Sequence, residues 1–215
     1  MTVDDVSENA ARLYPGASFG DRLQRLRPRI CPFEALLPHV PQSSRVLDIG
    51  CGSGLFLGLL MLDGRVARGV GVDPSDAAIS RALRMRDTLL PEQASALSFT
   101  KGGVDALGDA RFGVVTMVDV MHHIPPPQQR TAFLGACTAV DSGGVFVYKD
   151  LSPRPRWRAA ANRAHDLALS HQWVHYVHPA SLGEWISASG LTVQGALDLP
   201  RLWYAHHALV LRRDA

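Results

Sequence analysis

Between positions 44 and 150 short apolar runs alternate with longer stretches in which apolar residues recur every three or four positions. The runs at 45–50, 68–72, 112–120 and 145–149 predict buried strands, with a weaker one at 96–100. The stretches between them predict helices. One covers 55–63 and stops at Gly64; one starts behind Ser75 as N-cap and closes before Pro91; one covers 128–140, after Pro125, Pro126 and Pro127. Strands and helices in this rhythm predict βαβ units on a parallel sheet covered on both faces.

Outside that span the pattern changes. Residues 1–43 carry Pro15, Gly16, Pro28, Pro32, Pro38 and Pro41, which predicts short, punctuated helices. An amphipathic stretch at 156–177 and a helix at 181–189 follow the alternating part. Two strand-like runs, 191–197 and 203–211, predict an antiparallel pair joined by a turn at Pro200.

The length of 215 residues suits one domain, and 47% hydrophobic with 20% charged residues is an ordinary globular balance. The longest apolar stretch, 55–62, is far shorter than the roughly 20 residues of a spanning helix. The acidic start without an apolar follow-on gives no sign of a secretory signal, and Cys31, Cys51 and Cys137 form no metal or disulfide pattern. A cytoplasmic protein is expected. The net charge of +2 argues against nucleic acid or an anionic membrane as partner. Two local basic groups, Arg22, Arg25, Arg27 and Arg29, and Arg154, Arg156 and Arg158, read as solvated faces.

Chemistry concentrates in the segment from Val46 to Gly54, a strand, a loop with glycines at 50, 52 and 54, and a helix start. Such a loop lets the backbone approach a ligand closely, and Asp73 at the end of the second strand is placed to accept both hydroxyls of a ribose. A dinucleotide loop would carry a third glycine where this chain has Leu55. Asp48, just before the loop, would repel a pyrophosphate at a cost of about 1 kcal/mol or more. The same carboxylate attracts a sulfonium and an ammonium group, so the residues favour S-adenosylmethionine over a nicotinamide or flavin.

This segment resembles the first motif of class I S-adenosylmethionine-dependent methyltransferases. Gly71 to Ser75 resembles the second, Gly102 to Leu107 the segment after the third strand, and Phe112 to His123 the fourth. The resemblance implies a Rossmann-like three-layer α/β sandwich, with a seven-stranded, mostly parallel sheet whose last strand is antiparallel. It implies that Asp48, Gly50, Cys51, Gly52 and Gly54 surround the methionine part of S-adenosyl-L-methionine. Asp73 and Pro74 would lie at the ribose, Asp105 at the adenine, and Asp119 at the same site, with Cys51 as a small filler. Residues 1–43 would form a helical lid and 44–215 the core, with a helical cap at about 151–180.

Candidate bases follow the fourth strand (Asp119, His122, His123) and end the fifth (Tyr148, Lys149, Asp150). His122 or His123 is the preferred one. Tyr148, Arg154, Trp157, His171 and Tyr176 are expected to line the acceptor, and no metal site is expected, since His171 and His175 lack an intervening Glu. The acceptor would be a small phenolic, polyketide-like or acyl compound, free or carrier-bound, and the enzyme a monomer or homodimer. Alternatives are an RNA or protein methyltransferase and a non-catalytic cofactor-binding partner subunit. The first would show a basic tract or an Asn-Pro-Pro-Tyr type fourth motif, and neither occurs.

Overall fold

The computed structural model describes residues 1–155, 157 and 174–215. Seven strands form one sheet in the order β3-β2-β1-β4-β5-β7-β6. They are β1 (Ser44–Ile49), β2 (Val66–Asp73), β3 (Leu97–Lys101), β4 (Phe112–Val118), β5 (Val140–Leu151), β6 (Leu191–Arg201) and β7 (Tyr204–Arg213). The first five pair in parallel, and β7 runs antiparallel to both β5 and β6. The Rossmann-like architecture expected from the resemblance is therefore present.

Alternation along the central strands explains the layering. Val46, Val114 and Val147 face one apolar layer, while Leu47, Val115, Phe146 and Tyr148 face the other. Both faces of a parallel sheet are covered, so these strands are apolar on both parities. The first layer is closed by α1 (Val3–Leu13), α3 (Phe33–Leu36), α4 (Leu55–Leu62) and α5 (Asp76–Arg86), with α2 (Phe19–Ile30) packed on α1. α4 is apolar all round because it lies between the sheet and α1, and seven of its eight residues are buried. A short α6 (Pro91–Ser95) begins at the proline expected only to end its predecessor. The second layer holds α7 (Pro126–Thr138), through Phe133, and α8 (Pro179–Ser189), through Trp185.

Ser75 caps α5, its hydroxyl accepting from the Ala78 amide at 3.3 Å. One expectation needs correction. Pro200 is not in the turn: it pairs with Ala205 inside the edge strand β6, where a missing amide hydrogen is tolerated, and the turn is at Leu202 and Trp203. The amphipathic stretch at 156–177 falls largely outside the described residues, and its described end, 174–177, has no helix. Among the described residues no helix is long and apolar enough to cross a membrane.

Candidate active site

The carboxyl ends of β1, β2 and β4 open into a cavity of about 440 Å³, within the range of small-molecule sites. Asp48, Gly50, Cys51, Gly52, Asp73, Pro74, Asp119 and His123 line it, together with Gln24, Arg27 and Phe33 from the N-terminal helices. The loop takes this shape only with glycine. Gly50 has a φ of +67° and a Cβ there would lie 2.4 Å from Val120. Gly52 has a φ of +54°, and a Cβ there would meet nothing within 4 Å, so its bare backbone faces open space. The Gly52 amide donates to Asp73 Oδ2 and the Ser75 amide to Oδ1, both at 2.9 Å, which orients that carboxylate at the cavity edge. Tyr14 clips the loop from the far side, its hydroxyl donating to the Ser53 carbonyl at 2.6 Å.

Asp48 is 2% exposed. Among the described residues its one side-chain hydrogen-bond partner is the Thr116 hydroxyl, at 2.6 Å. Burial pushes its pKa up to about 7, with the Asp73 charge adding to the rise and the Thr116 hydrogen bond and, less, the Arg27 cation restraining it. A buried carboxyl poised in this way, beside an open glycine backbone, fits a ligand that carries positive charge. That is the fit expected for S-adenosylmethionine, and a pyrophosphate would aggravate the same site.

Asp119 is the opposite case. It sits at a φ of +58° just beyond β4 and is ion-paired with Lys149, which is fully buried, and with Arg27 at 2.9 Å. These cations, with His206 nearby, overcome its desolvation and hold its pKa far below the usual carboxylate range. A carboxylate so paired is not available as a base.

The expected chemistry at the two histidines divides. His122 is 4% exposed and does not line the cavity; its backbone amide and its Nδ1 both bind Asp150, and its carbonyl accepts from the His175 amide. Asp150 is held below its ordinary pKa chiefly by His122, against its own burial. His123 lines the cavity at its exposed mouth. Enclosure by the walls and the neighbouring His122 ring, at 4.1 Å, push its pKa down to about 4, so it is neutral at pH 7.

Three other expectations are corrected. Tyr148 is a core residue, fully buried against Phe133 and Phe146, because residue 148 shares its parity with Phe146 on β5. Asp105 is exposed in a turn (Val104–Leu107) and does not line the cavity, its carboxylate lying beside Gly103. Gly54 does not line it either: a Cβ there would meet Met85 at 2.7 Å, so it is a close-packing position. The Cys51 thiol is raised by burial and by Asp48, which agrees with a filler. Arg154 and Trp157 line a separate cavity, Tyr176 is half-buried outside both, and His171 lies outside the described residues.

Asp119, His122 and Asp150 offer ligand atoms within 4.8 Å of one another, a donor set of the kind that holds metals. Lys149 and Arg27 already supply the countercharge there. Arg27 itself was not expected at the site. The arginine cluster at 22–29 reads as solvated, and only Arg27 of the four lines the cavity, while Arg25 binds the Tyr14 and Gly16 carbonyls.

A profile described as a methyltransferase domain matches residues 20–195. The ubiquinone biosynthesis O-methyltransferase of Azotobacter vinelandii (strain DJ / ATCC BAA-1303) is 26% identical over 165 residues, 72% of this chain and 67% of its own length. Magnesium protoporphyrin IX methyltransferase from Synechocystis PCC 6803, solved with SAH bound, superposes with a TM-score of 0.70 at 16% identity over 96% of this chain and 93% of that one. An O-methyltransferase family protein from Burkholderia thailandensis gives a TM-score of 0.74 at 14% identity over 91% of this chain. This chain spans only 58% of that protein. A profile match over most of the sequence is family membership: the chain belongs to the methyltransferase-domain family and is a class I S-adenosylmethionine-dependent methyltransferase.

Proposed function

We propose that the enzyme transfers a methyl group to a hydroxyl oxygen of a small-molecule acceptor. The observation that carries this reading is the likeness to ubiquinone biosynthesis O-methyltransferases over 72% of the chain. A second cavity at the same end of the sheet, on the β5–β7 side and lined by Arg154 and Trp157, supports a small acceptor. Asp48 and the bare loop at Gly50 and Gly52 hold the positively charged methionine part. Asp73 holds the ribose, with Pro74 and Ser75 beside it, and Val120 and Ile124 supply apolar walls.

Bound there, S-adenosylmethionine supplies a methyl group already activated by positive sulfur, so the chain's task is alignment and proton removal. The N-terminal segment serves as the lid: Arg27 reaches Asp119, and Arg201 of β6 binds Glu34 and the Pro28 carbonyl. A basic tract that would point to RNA is missing from the sequence.

Calorimetry with S-adenosylmethionine and with NADH, followed by a methyl-transfer screen over phenols, carboxylic acids and amines, tests the reading. Binding of the first cofactor alone and transfer to hydroxyl acceptors are expected. Transfer confined to amines or to RNA would refute the acceptor class.

A further inference from the structure

The hydroxyl that receives the methyl group has to enter the cavity that holds the cofactor, so a base for its proton must stand on that cavity's wall. The titratable groups that line it among the described residues are Arg27, Asp48, Cys51, Asp73, Asp119 and His123. Five of them have other tasks. Asp48 is left to the positive charge of the cofactor, Asp73 is tied to two amides and Asp119 to two cations, of which Arg27 is one. Burial keeps Cys51 a thiol. His123 is exposed at the cavity mouth and neutral at pH 7, and neither of its ring nitrogens is engaged by another described residue.

Its position in the sheet suits a base. In the strand order β2-β1-β4-β5, Asp73 ends β2 and the glycine loop follows β1. His123 follows β4, across the loop from Asp73. With the ribose at Asp73 and the methionine part at Asp48, it faces the sulfonium half of the cofactor. The turn that carries it is pinned from two elements. Asp150 of β5 accepts from the His122 amide at 3.1 Å and binds His122 Nδ1, and the His122 ring lies against that of His123. The buried Gln129 of α7 donates its amide to the carbonyls of Met121 and Ile124, at 3.1 and 3.2 Å, on either side of the histidine pair. An imidazole on such a support is in place before the acceptor arrives.

We infer that the acceptor is a phenol and that His123 is the general base, taking the proton of the hydroxyl as its oxygen attacks the methyl group. This rests on the O-methyl-transfer reading. The O–H bond breaks and its proton moves to a ring nitrogen of His123. The oxygen electron pair forms the bond to the methyl carbon, and the carbon–sulfur bond leaves its pair on sulfur. The hydroxyl turns strongly acidic as the new bond forms, so a weakly basic imidazole suffices. At the exposed mouth the imidazolium passes the proton on to water.

Nitrogen NMR of histidine-labelled protein loaded with S-adenosylhomocysteine, titrated with catechol as the probe, tests the contact. The His123 ring signals, assigned by their loss in H123Q, should include an unprotonated nitrogen and should move as catechol is added. Kinetics then separate a base from a mere wall. At pH 7.5 catechol enters with its hydroxyls protonated, and H123Q should methylate it about 100-fold or more slowly than wild type. At pH 8.5 4-nitrophenol is already ionised and needs no base, so there the two enzymes should agree within about threefold. S-adenosylhomocysteine affinity should also stay within about threefold. Equal losses on both phenols, catechol turnover by H123Q within about threefold of wild type, or His123 signals indifferent to catechol each overturn the proposal. A catechol-dependent shift in an enzyme that methylates no hydroxyl acceptor would instead overturn the O-methyl-transfer reading.

Discussion

Asp48 and Asp119 line one cavity from adjacent strands of the same sheet, and the surroundings drive their carboxyl groups in opposite directions. Among the described residues Asp48 has one hydroxyl as hydrogen-bond partner and no ion pair; burial pushes its pKa up to about 7, with the Arg27 cation, which lowers it, the weakest influence on it. Asp119 lies between Lys149 and Arg27 and is pulled far down. A buried acid whose charge the protein itself balances is part of the architecture. One left short of a countercharge marks where a cationic ligand belongs. The two also differ in what they do to the folded state. Asp48 binds its proton more tightly folded than unfolded, so this group alone makes the unliganded chain less stable as pH rises from about 4 to about 7. Asp119 acts in the other sense, favouring the folded state wherever it is ionised.

The comparison breaks most sharply at Lys149. K149M should destabilise the protein by about 3–5 kcal/mol, because it strands part of the Asp119 charge in the interior. Thermal unfolding should show a loss of roughly 10 °C or more. Next comes D48N, which removes an acid the fold does not balance. The unliganded variant should gain about 1–4 kcal/mol at pH 8 and nothing at pH 4, read by urea unfolding at the two pH values. T116V takes away the hydroxyl that restrains Asp48, so its pKa rises further and S-adenosylmethionine affinity at pH 7 should fall about tenfold by calorimetry. The smallest effect is expected from Y14F. It loses the hydrogen bond to the Ser53 carbonyl, for about 1 kcal/mol of stability, and leaves both carboxyl groups as they are.

What was legible in the sequence was local. The strand at 45–50, the glycine loop, Asp73 and the Ser75 cap each declare themselves within a few residues, because turn geometry and capping are set by neighbours in the chain. The charge balance at Asp119 depends on Arg27, 92 residues away, and no local pattern distinguishes that arginine from its solvated neighbours. Tyr148 was misplaced although strand parity held the clue, since Phe146 and Tyr148 must share a face. His206 was missed for a related reason. The antiparallel last strand is legible in the sequence, but its register against β5, Leu151 opposite His206, is not, and that register carries the first residues of β7 to the end of the sheet where ligands bind. Pro200 reads as a turn because a proline in a strand is tolerated only at an edge, and the edge position of β6 is a property of the whole sheet.

The most direct trial of the account is the pH dependence of S-adenosylmethionine affinity, measured by calorimetry from pH 5.5 to 8.5 in wild type and D48N. A ligand cation must drive the proton off Asp48, so wild-type affinity should hold above pH 7, weaken by up to about tenfold per pH unit below it, and release a proton on binding. D48N should bind weakly and with little pH dependence over the same range. A flat wild-type profile, or D48N binding as tightly as wild type, would contradict the claim that this buried carboxyl is the countercharge for the cofactor.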